Sequence, residues 1–384
     1  MSFGALLADV FAAIALAGAA YQLVALREVR RFARTVRDFA PPRDLPPASL
    51  LKPLCGEDAD LAANLESFCR QDHPVQLVFG CQDPGDPALG VVRALQARHP
   101  EADIAVVSNG RRTALNGKVG NLIEMRPAAR HARLIVSDSD MRVGPDYARR
   151  VLGPLEAPGT GLVTCLYVGR GTGLWSGLGA AYINYGFFPA ALVGRALAGR
   201  HDCFGATMAL HAETLGRIGG FEAFADELAD DYALGRAVAG LGLDVALAPV
   251  VVETIVAEPD FGALLRHELR WARTIRRAAP LGHAASASMH PVPWATFALL
   301  TAAFSASGFV VPLAALGLAL LSRGLLVRTV DRNFGLAGPS WGLLILRDWL
   351  SFLVLLASFC GRRVTWRNRR FRVEADGRLV AERD

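Results

Sequence analysis

The chain has 384 residues, of which 52% are hydrophobic and 20% are charged. This balance excludes an intrinsically disordered chain, which has few apolar residues and many charges, and it leaves too little charge for a purely soluble surface. The formal net charge of +5 comes largely from arginines clustered beside apolar segments. No basic stripe interleaved with aromatic residues accompanies it, so no nucleic-acid partner is expected. The composition predicts a soluble domain joined to membrane segments.

The N-terminal segment is the first membrane candidate. Residues 3–26 are apolar apart from Asp9, and a bilayer-spanning helix needs about 20 residues. An arginine-rich stretch, residues 27–43, follows this segment, whereas a cleavable signal peptide carries its basic residues before the apolar run. We therefore predict an uncleaved anchor over residues 1–26 and a basic juxtamembrane linker over residues 27–47 on the cytosolic side.

Residues 48–282 alternate between strand and helix patterns, which predicts an α/β domain with a mainly parallel, Rossmann-like sheet. The expected elements are the strand Ser49–Pro53, the helix Asp60–Gln71 with Asp58 or Asp60 as its N-cap, the strand Val75–Cys81, the helix Ala88–Arg98, the strand Ile104–Val107, the helix Lys118–Met125 and the strand Leu134–Val136. In open sheets of this kind, ligands bind beyond the carboxyl ends of the strands.

Acidic residues follow two of these strands. Asp138 and Asp140 come directly after an apolar strand, and carboxylates at this spacing can hold one hard divalent cation, Mg²⁺ or Mn²⁺. Such an ion neutralises the diphosphate leaving group of a nucleotide sugar. Asp83 ends another strand and is a candidate to accept hydrogen bonds from a uracil or a ribose. The alternatives are a solvated turn for the first motif and an Asx turn before Pro84 for the second.

Two helices carry the remaining candidate chemistry. Glu227–Tyr232 opens a helix, and one of its carboxylates is a candidate general base for an acceptor hydroxyl. The helix dipole alone favours acids in a first turn, which is the alternative explanation. Further along, Arg270 can pair with a diphosphate and Trp271 can stack on an acceptor. The alternative for that helix is a basic face resting on anionic headgroups.

The remaining apolar stretches lie within and after the soluble domain. Residues 171–194 carry no charge, and we expect them to lie on the bilayer surface or to line a lipid pocket, with a buried core helix as the alternative. Residues 293–322 are also uncharged and predict one kinked helix or a tight hairpin. Residues 341–361 contain Arg347 and Asp348, which are costly in a membrane unless they are paired.

We therefore predict a C-terminal membrane region over residues 283–361 with two or three helices. A basic cytosolic tail follows over residues 362–384 and holds six arginines between residues 362 and 372. An even number of crossings after the soluble domain places that domain and the tail on the same, cytosolic side. The expected location is the inner membrane, with several crossings.

Several segments carry a resemblance to a known family. They are Lys52-Pro53-Leu54-Cys55-Gly56 with Asn64-Leu65-Glu66, Gln82-Asp83 with Asp86-Pro87, Asn116-Gly117-Lys118-Val119-Gly120-Asn121-Leu122, Asp138-Ser139, Asp230-Asp231-Tyr232, and the tail from Trp366 to Arg372. In this order they resemble the ceramide glucosyltransferase family, including its bacterial relatives associated with hopanoid biosynthesis. The resemblance runs from about residue 48 to the tail and implies a membrane glycosyltransferase with the GT-A fold.

The resemblance also implies an activity and residue roles. The reaction would be an inverting transfer of one sugar, of the glucose or N-acetylglucosamine type, from a UDP-sugar to a hydroxyl of a hopanoid polyol or ceramide. The implied roles are donor contacts at Lys52, Lys118 and Asp83, metal and diphosphate binding at Asp138 and Asp140, the catalytic base at Asp231, and the closing part of the site at Arg270 and Trp271. His267 stands where the family usually has Gln or Arg, and it is expected on the donor side.

Two other functions remain open at this point. A processive polysaccharide synthase would share most of these motifs, but it usually has Gln at position 267 and a larger membrane channel. A non-catalytic membrane module that keeps the fold is the second alternative, and the intact set of acidic residues disfavours it.

Overall fold

We analysed a computed structural model of the chain, which describes residues 2–58, 60–111, 113–198, 202–305, 308–361, 363–366, 369–373 and 379–381. The chain divides into two compact units. The helical unit comprises Met1–Arg34, Thr172–Ala198 and Glu258–Thr365, and the sheet unit comprises Thr35–Gly171, Gly199–Ala257 and Trp366–Asp384.

The helices are α1 (Phe3–Asp38), α2 (Leu61–Cys69), α3 (Ala88–Arg98), α4 (Gly117–Met125), α5 (Tyr147–Leu155), α6 (Leu174–Tyr182), α7 (Phe188–Ala198), α8 (Ala212–Arg217), α9 (Asp230–Gly240), α10 (Phe261–Ala278), α11 (Pro280–Ala285), α12 (Pro291–Ser305), α13 (Val310–Phe334) and α14 (Trp341–Ser358). The strands are β1 (Ala48–Leu54), β2 (Val75–Cys81), β3 (Ile104–Val107), β4 (Arg133–Ser137), β5 (Met141–Arg142), β6 (Thr160–Gly171), β7 (Thr207–His211), β8 (Asp244–Val256), β9 (Arg363–Trp366), β10 (Arg369–Val373) and β11 (Leu379–Ala381).

The sheet unit is built on an eight-stranded sheet with the strand order β3-β2-β1-β4-β7-β6-β8-β5. The pairs β2–β3, β1–β2, β1–β4 and β6–β8 are parallel, and β7 and β5 pair antiparallel with their neighbours. This mixed, mostly parallel sheet confirms the predicted α/β class. The predicted strands and helices between residues 49 and 136 all form, with ends that differ by one or two residues.

The central strands are buried on both faces, which explains their nearly continuous apolar sequence. All seven residues of β1 are buried. Because side chains alternate along a strand, Leu50 and Leu54 join the core cluster on one face of the sheet and Leu51 joins the cluster on the other. This two-sided core fixes the strand register, since a shift by one residue would exchange the two faces.

The start of α2 differs from the predicted cap. Asp60 precedes the helix with φ of 57°, in the left-handed region, and its side chain makes no capping hydrogen bond. The Asp58 side chain instead accepts a hydrogen bond from Ser139 Oγ at 2.7 Å. Asp60 thus occupies the predicted N-cap position without a side-chain cap, and Asp58 is not the cap because its side chain is engaged by Ser139 in the loop after β4.

Three helices of the described residues, α1, α13 and α14, are long and apolar enough to cross a membrane, and α12 is a shorter apolar helix. The uncharged run 293–322 is thus divided between α12 and α13. Pro312 lies in the first turn of α13, where its missing N–H removes no helix hydrogen bond. Buried alanines from α1, α12 and α13 form one cluster, and such small residues allow close helix packing in membranes.

Most of the uncharged run 171–194 belongs to a helical segment, residues 174–198, within the helical unit. It consists of α6, a π-helical turn over Ile183–Phe187, and α7. Leu178, Tyr185 and Phe188 are buried, which favours a packed segment over one lying freely on a bilayer surface. The tail holds β10 and β11, which pair antiparallel, and Arg362 and Arg367 of the predicted basic tail lie outside the described residues.

Candidate active site

The candidate site lies at the carboxyl edge of the parallel strands in the sheet unit. Strands β2, β1 and β4 are neighbours and run in the same direction, so the segments that follow them meet at one edge. Asp83 follows β2 and Asp138 follows β4 at this edge.

Lys118 is the centre of the charged cluster. Its Nζ lies 2.6 Å from Asp138 Oδ1 and 3.6 Å from Asp230 Oδ2. Burial alone would lower the pKa of Lys118, but the carboxylates of Asp138 and Asp230 outweigh it and raise the pKa above its ordinary value. Lys118 therefore stays a cation in the folded protein and links the loop after β4 to the start of α9.

Asp231 is half-buried at the start of α9 and is held by backbone donors. Its Oδ2 accepts a hydrogen bond from the Gly205 N–H and its Oδ1 accepts one from the Tyr232 N–H, both at 2.8 Å. Burial, and then the charge of Asp230, raise the pKa of Asp231 to about 6. At neutral pH the carboxylate is mostly ionised, and a pKa near the working pH suits a general base.

Gly205 marks the place where these groups converge. A Cβ atom at this position would lie 3.2 Å from Lys118 Nζ, 3.3 Å from Asp231 Oδ2 and 3.4 Å from Asp138 Oδ2. The cation and the two carboxylates therefore surround one backbone position. A glycine leaves this space free, whereas any side chain would press on the charged groups.

Asp140 and Lys52 are two further charged residues near the end of β4. Asp140 follows β4, and Lys52 lies in the neighbouring strand β1. Asp140 Oδ2 accepts a hydrogen bond from Thr254 Oγ1 at 2.7 Å, and burial together with the charge of Asp138 raises the pKa of Asp140 to about 6. The Lys52 Nζ donates to the Asp138 carbonyl at 2.7 Å and lies 3.6 Å from the centre of the Phe68 ring. Complete burial lowers the pKa of Lys52 to about 7.

The residues at this strand end fit a hard divalent cation. Asp138 and Asp140 supply oxygen donors. Desolvation raises the pKa of Asp140 most, and the charge of Asp138 adds a repulsion that a cation would relieve. No group of three or more His, Cys, Asp or Glu ligands occurs among the residues that the structure describes. A cation held here would therefore need oxygens from a bound phosphate or from water to complete its coordination.

Asp83 has a local partner. Its side chain is exposed, and Oδ1 accepts a hydrogen bond from the Gly85 N–H at 2.8 Å. This is the Asx turn named above as the alternative. The structure thus brings Lys118, Asp138 and Asp231 together and places Asp83 in a turn after the neighbouring strand.

Sequence reasoning missed two residues of this site. The buried Asn116 caps α4, because its side chain accepts from the N–H groups of Lys118 and Val119, and its Nδ2 donates to the Glu227 carbonyl at 2.9 Å. Asn before Gly-Lys at a helix start is a capping signal that could have identified it. Gly205 carries no such signal, since only the folded chain brings it to Asp231.

The other predicted residues lie on α10 in the helical unit. His267 Nδ1 is 2.6 Å from Glu258 Oε1, so Glu258 orients the imidazole. The His267 ring meets Trp271 edge-on at 4.2 Å between centroids, and Trp271 in turn lies 6.1 Å from the Tyr182 ring. Arg270 occupies the turn between His267 and Trp271. The three predicted residues of this motif therefore share one stretch of helix.

A family model described as glycosyl transferase family 21 matches residues 10–379 of the chain. The chain belongs to this family. Among curated relatives, ceramide glucosyltransferase 1 of Caenorhabditis elegans is 30% identical over 217 residues, which cover 54% of this chain and 45% of the relative. Ceramide glucosyltransferase 3 of the same organism is 27% identical over 249 residues, which cover 62% and 52%. The chain thus spans about half the length of the curated relatives it matches.

The fold is also found among solved structures. A mannosyltransferase from Pyrobaculum calidifontis, solved in complex with GDP-Man and Mn²⁺, superposes with a TM-score of 0.55 at 22% identity and covers 84% of this chain and 98% of that one. This similarity supports the GT-A-like fold. The family match confirms the resemblance seen in the sequence and shows that the chain belongs to glycosyl transferase family 21, while the association with hopanoids stays a prediction.

Proposed function

We propose that this glycosyltransferase moves one sugar from a UDP-sugar to a hydroxyl of a membrane lipid, with inversion at the anomeric carbon. The sugar would be of the glucose or N-acetylglucosamine type and the lipid a hopanoid polyol or ceramide. The observation that carries this proposal is the convergence of Lys118, Asp138 and Asp231 around Gly205. It combines a cation, a candidate metal ligand and a candidate base at the sheet edge where ligands bind.

Asp231 is the proposed base. The acceptor oxygen forms the new bond to the anomeric carbon while its proton passes to the Asp231 carboxylate. The bond between that carbon and the diphosphate oxygen breaks, and UDP leaves with the electron pair. The N–H groups of Gly205 and Tyr232 hold the carboxylate in place, so it is oriented before the acceptor arrives.

Asp138 and Asp140 are the proposed ligands of Mg²⁺ or Mn²⁺. When bound, the cation neutralises the charge that develops on the diphosphate. The Lys118 ammonium adds a second positive charge beside Asp138. Lys52 is fully buried against Phe68 and the Asp138 carbonyl, so we assign it a supporting role behind the strand end instead of a direct contact with the donor.

We assign the nucleotide of the donor to the ends of β2 and β3. Two buried polar atoms here, Gln82 Nε2 and Ser108 Oγ, have no hydrogen-bond partner among the described residues. The strands are adjacent, with Gly80 opposite Val107, so both atoms lie at the edge that also carries Asp83. Buried polar atoms are normally satisfied, and the polar edges of a uridine would supply their missing partners.

We assign Arg270 and Trp271 to the closing part of the site, as the family resemblance implies, with Trp271 as a surface on which the acceptor can stack and His267 as a candidate donor contact. The proposed organisation keeps an anchor over residues 1–26, a linker over 27–47, a transferase domain over 48–282, a membrane region over 283–361 and a tail over 362–384. We further propose that the enzyme lies in the inner membrane with its transferase domain facing the cytosol.

A substrate panel tests this proposal. Membranes containing the protein would be given radiolabelled UDP-glucose or UDP-N-acetylglucosamine together with ceramide or a hopanoid polyol, with and without EDTA. We expect an EDTA-sensitive lipid product that carries one sugar. A polymeric product would instead identify a processive synthase, and no product from any pair would contradict the proposed substrates. Donor binding without transfer would favour the non-catalytic alternative.

A further inference from the structure

Two ion pairs among the described residues are buried inside the helical unit. Arg347 on α14 donates to both oxygens of Glu268 on α10, at 2.5 and 2.8 Å. Arg323 on α13 donates to both oxygens of Asp348 on α14, at 3.1 and 2.6 Å. All four residues are at most 6% exposed. Paired in this way, the charges of α13 and α14 avoid most of the cost of a membrane interior.

Both arginines also bind the backbone of the helical segment 174–198. Arg347 donates to the Leu178 carbonyl at 3.3 Å, and its guanidinium lies 5.6 Å from the Tyr182 ring centre. Arg323 donates to the Tyr185 carbonyl at 2.5 Å. In a regular α-helix that carbonyl would pair with the N–H of residue 189, which is a proline and has none. The arginines therefore use their remaining donors on backbone oxygens of this segment.

The two pairs differ in what they connect. Arg323 and Asp348 join two helices that could both span a membrane. Glu268 lies instead on the amphipathic α10, in its buried stripe with Leu264 and Ala272. A bidentate bond in the middle of that stripe fixes the rotation of α10 about its axis, because the fork geometry tolerates little displacement.

We propose that Glu268 is a positioning residue of the transfer reaction. Through its pair with Arg347 it fixes the rotation of α10 and thereby directs His267, Arg270 and Trp271. This inference rests on the proposed function, since it takes those three residues as substrate contacts. An apolar pair of the same size would often be as stable as a buried ion pair. The ion pair therefore contributes a fixed rotation of α10, which an apolar contact would not impose.

A reporter cysteine measures the rotation of α10 without any substrate. Ala272 is 7% exposed on the Glu268 stripe, so a thiol in Ala272→Cys should react slowly with a maleimide. The background carries Cys55→Ser, Cys69→Ser and Cys360→Ser, which removes the exposed and half-buried thiols. We expect Glu268→Gln to speed labelling at least about tenfold, the equivalent of about 1.4 kcal/mol in the exposure equilibrium. Asp348→Asn is the matched control and should leave the labelling rate unchanged.

The kinetic test uses the same two variants. We expect Glu268→Gln to raise the KM for the lipid acceptor and lower kcat, while the dissociation constant of UDP stays within about twofold because the nucleotide site lies in the sheet unit. Asp348→Asn should keep both KM values. Equal effects of the two variants on labelling and KM, or unchanged labelling in Glu268→Gln, would overturn the positioning role.

If Glu268→Gln does not accumulate in membranes, the double variant Glu268→Gln/Arg347→Gln repeats the test without an unpaired buried charge. The control then becomes Arg323→Gln/Asp348→Asn. Labelling needs no activity, so it still tests the positioning role if the wild-type protein transfers no sugar to lipid. That result would contradict the proposed substrates, whereas the labelling rates would still test whether Glu268 fixes the rotation of α10.

Discussion

Lys52 and Lys118 are the two lysines of the chain, and the structure places them in opposite electrostatic settings. Lys52 is buried beneath the strand end, where desolvation lowers its pKa to about 7. Lys118 lies against Asp138 and Asp230, which hold its pKa above the ordinary value. The sequence predicted both near the donor because both fall in family motifs. Their proposed roles differ because Lys52 is completely buried, and the sequence alone does not show which neighbours bury it.

The pKa of Asp231 predicts how activity depends on pH. The active form is the carboxylate, and the pKa of about 6 means that protonation removes the base as the pH falls. We expect kcat/KM to level off above about pH 7 and to fall about tenfold per pH unit well below pH 6. A pH–rate profile of lipid glycosylation checks this expectation.

A control separates this titration from that of Asp140, a second carboxyl group at the same edge of the sheet. Asp140 also has a pKa raised to about 6, and its protonation would weaken the proposed metal site. UDP binding with Mg²⁺ is therefore measured over the same pH range. Activity that is flat down to pH 5 would contradict Asp231 as the base, and a loss explained entirely by weaker UDP binding would assign the titration to Asp140.

At the scale of elements, Asn116 connects two segments that the sequence placed far apart. It caps α4 and also donates to the Glu227 carbonyl, just before α9. We expect Asn116→Ala to reduce stability by about 1 kcal/mol, the usual effect of losing a helix cap. It should also reduce kcat, because the start of α9 carries Asp231.

Ser340→Ala is the matched control, since Ser340 caps α14 through the Leu343 N–H. It should produce a similar or smaller loss of stability with unchanged kcat. Thermal unfolding in detergent and steady-state kinetics give the two quantities. If Asn116→Ala lost stability but kept full kcat, the coupling of α4 to the base would be refuted.

The elements themselves were largely predictable, whereas their arrangement was only partly so. Strands such as β2 and helices such as α3 follow from local periodicity and turn residues, and their bounds matched. The antiparallel insertion of β7 between β4 and β6 has no local signal, because it depends on long-range pairing. For the same reason the contact between Asp231 and the Gly205 N–H could not be foreseen, although the strand-end location of Asp138 could.

At the scale of the whole molecule, the long apolar helices predict a membrane topology. If α1 forms one crossing and α13 and α14 form two more, the proposed orientation would place the N-terminus outside and residues 48–282 and the tail in the cytosol. The arginines in the last part of α1, at positions 27–37, favour this orientation. Three variants would each carry one cysteine, at the N-terminus, in the domain or at residue 384, in a background without exposed thiols. Intact cells that express each variant would be treated with a thiol reagent that does not cross membranes.

Only the N-terminal cysteine should react in that experiment, and permeabilised cells, in which all three react, provide the control. Labelling of the cysteine at residue 384 in intact cells would mean an odd number of crossings after the domain. It would require α12 to span the membrane as well, or one of α13 and α14 to remain inside.

The central claim is that a glycosyltransferase of family 21 uses Asp231 to activate a lipid hydroxyl, and Asp231→Asn tests it most directly. Asn keeps the shape and one hydrogen-bond acceptor but cannot take the proton. We predict that lipid glycosylation falls by about 100-fold or more, the usual contribution of a general base, while the dissociation constant of UDP with Mg²⁺ stays within about threefold of the wild-type value. Asp231→Asn protein that binds UDP normally and glycosylates lipid at the wild-type rate would contradict the account.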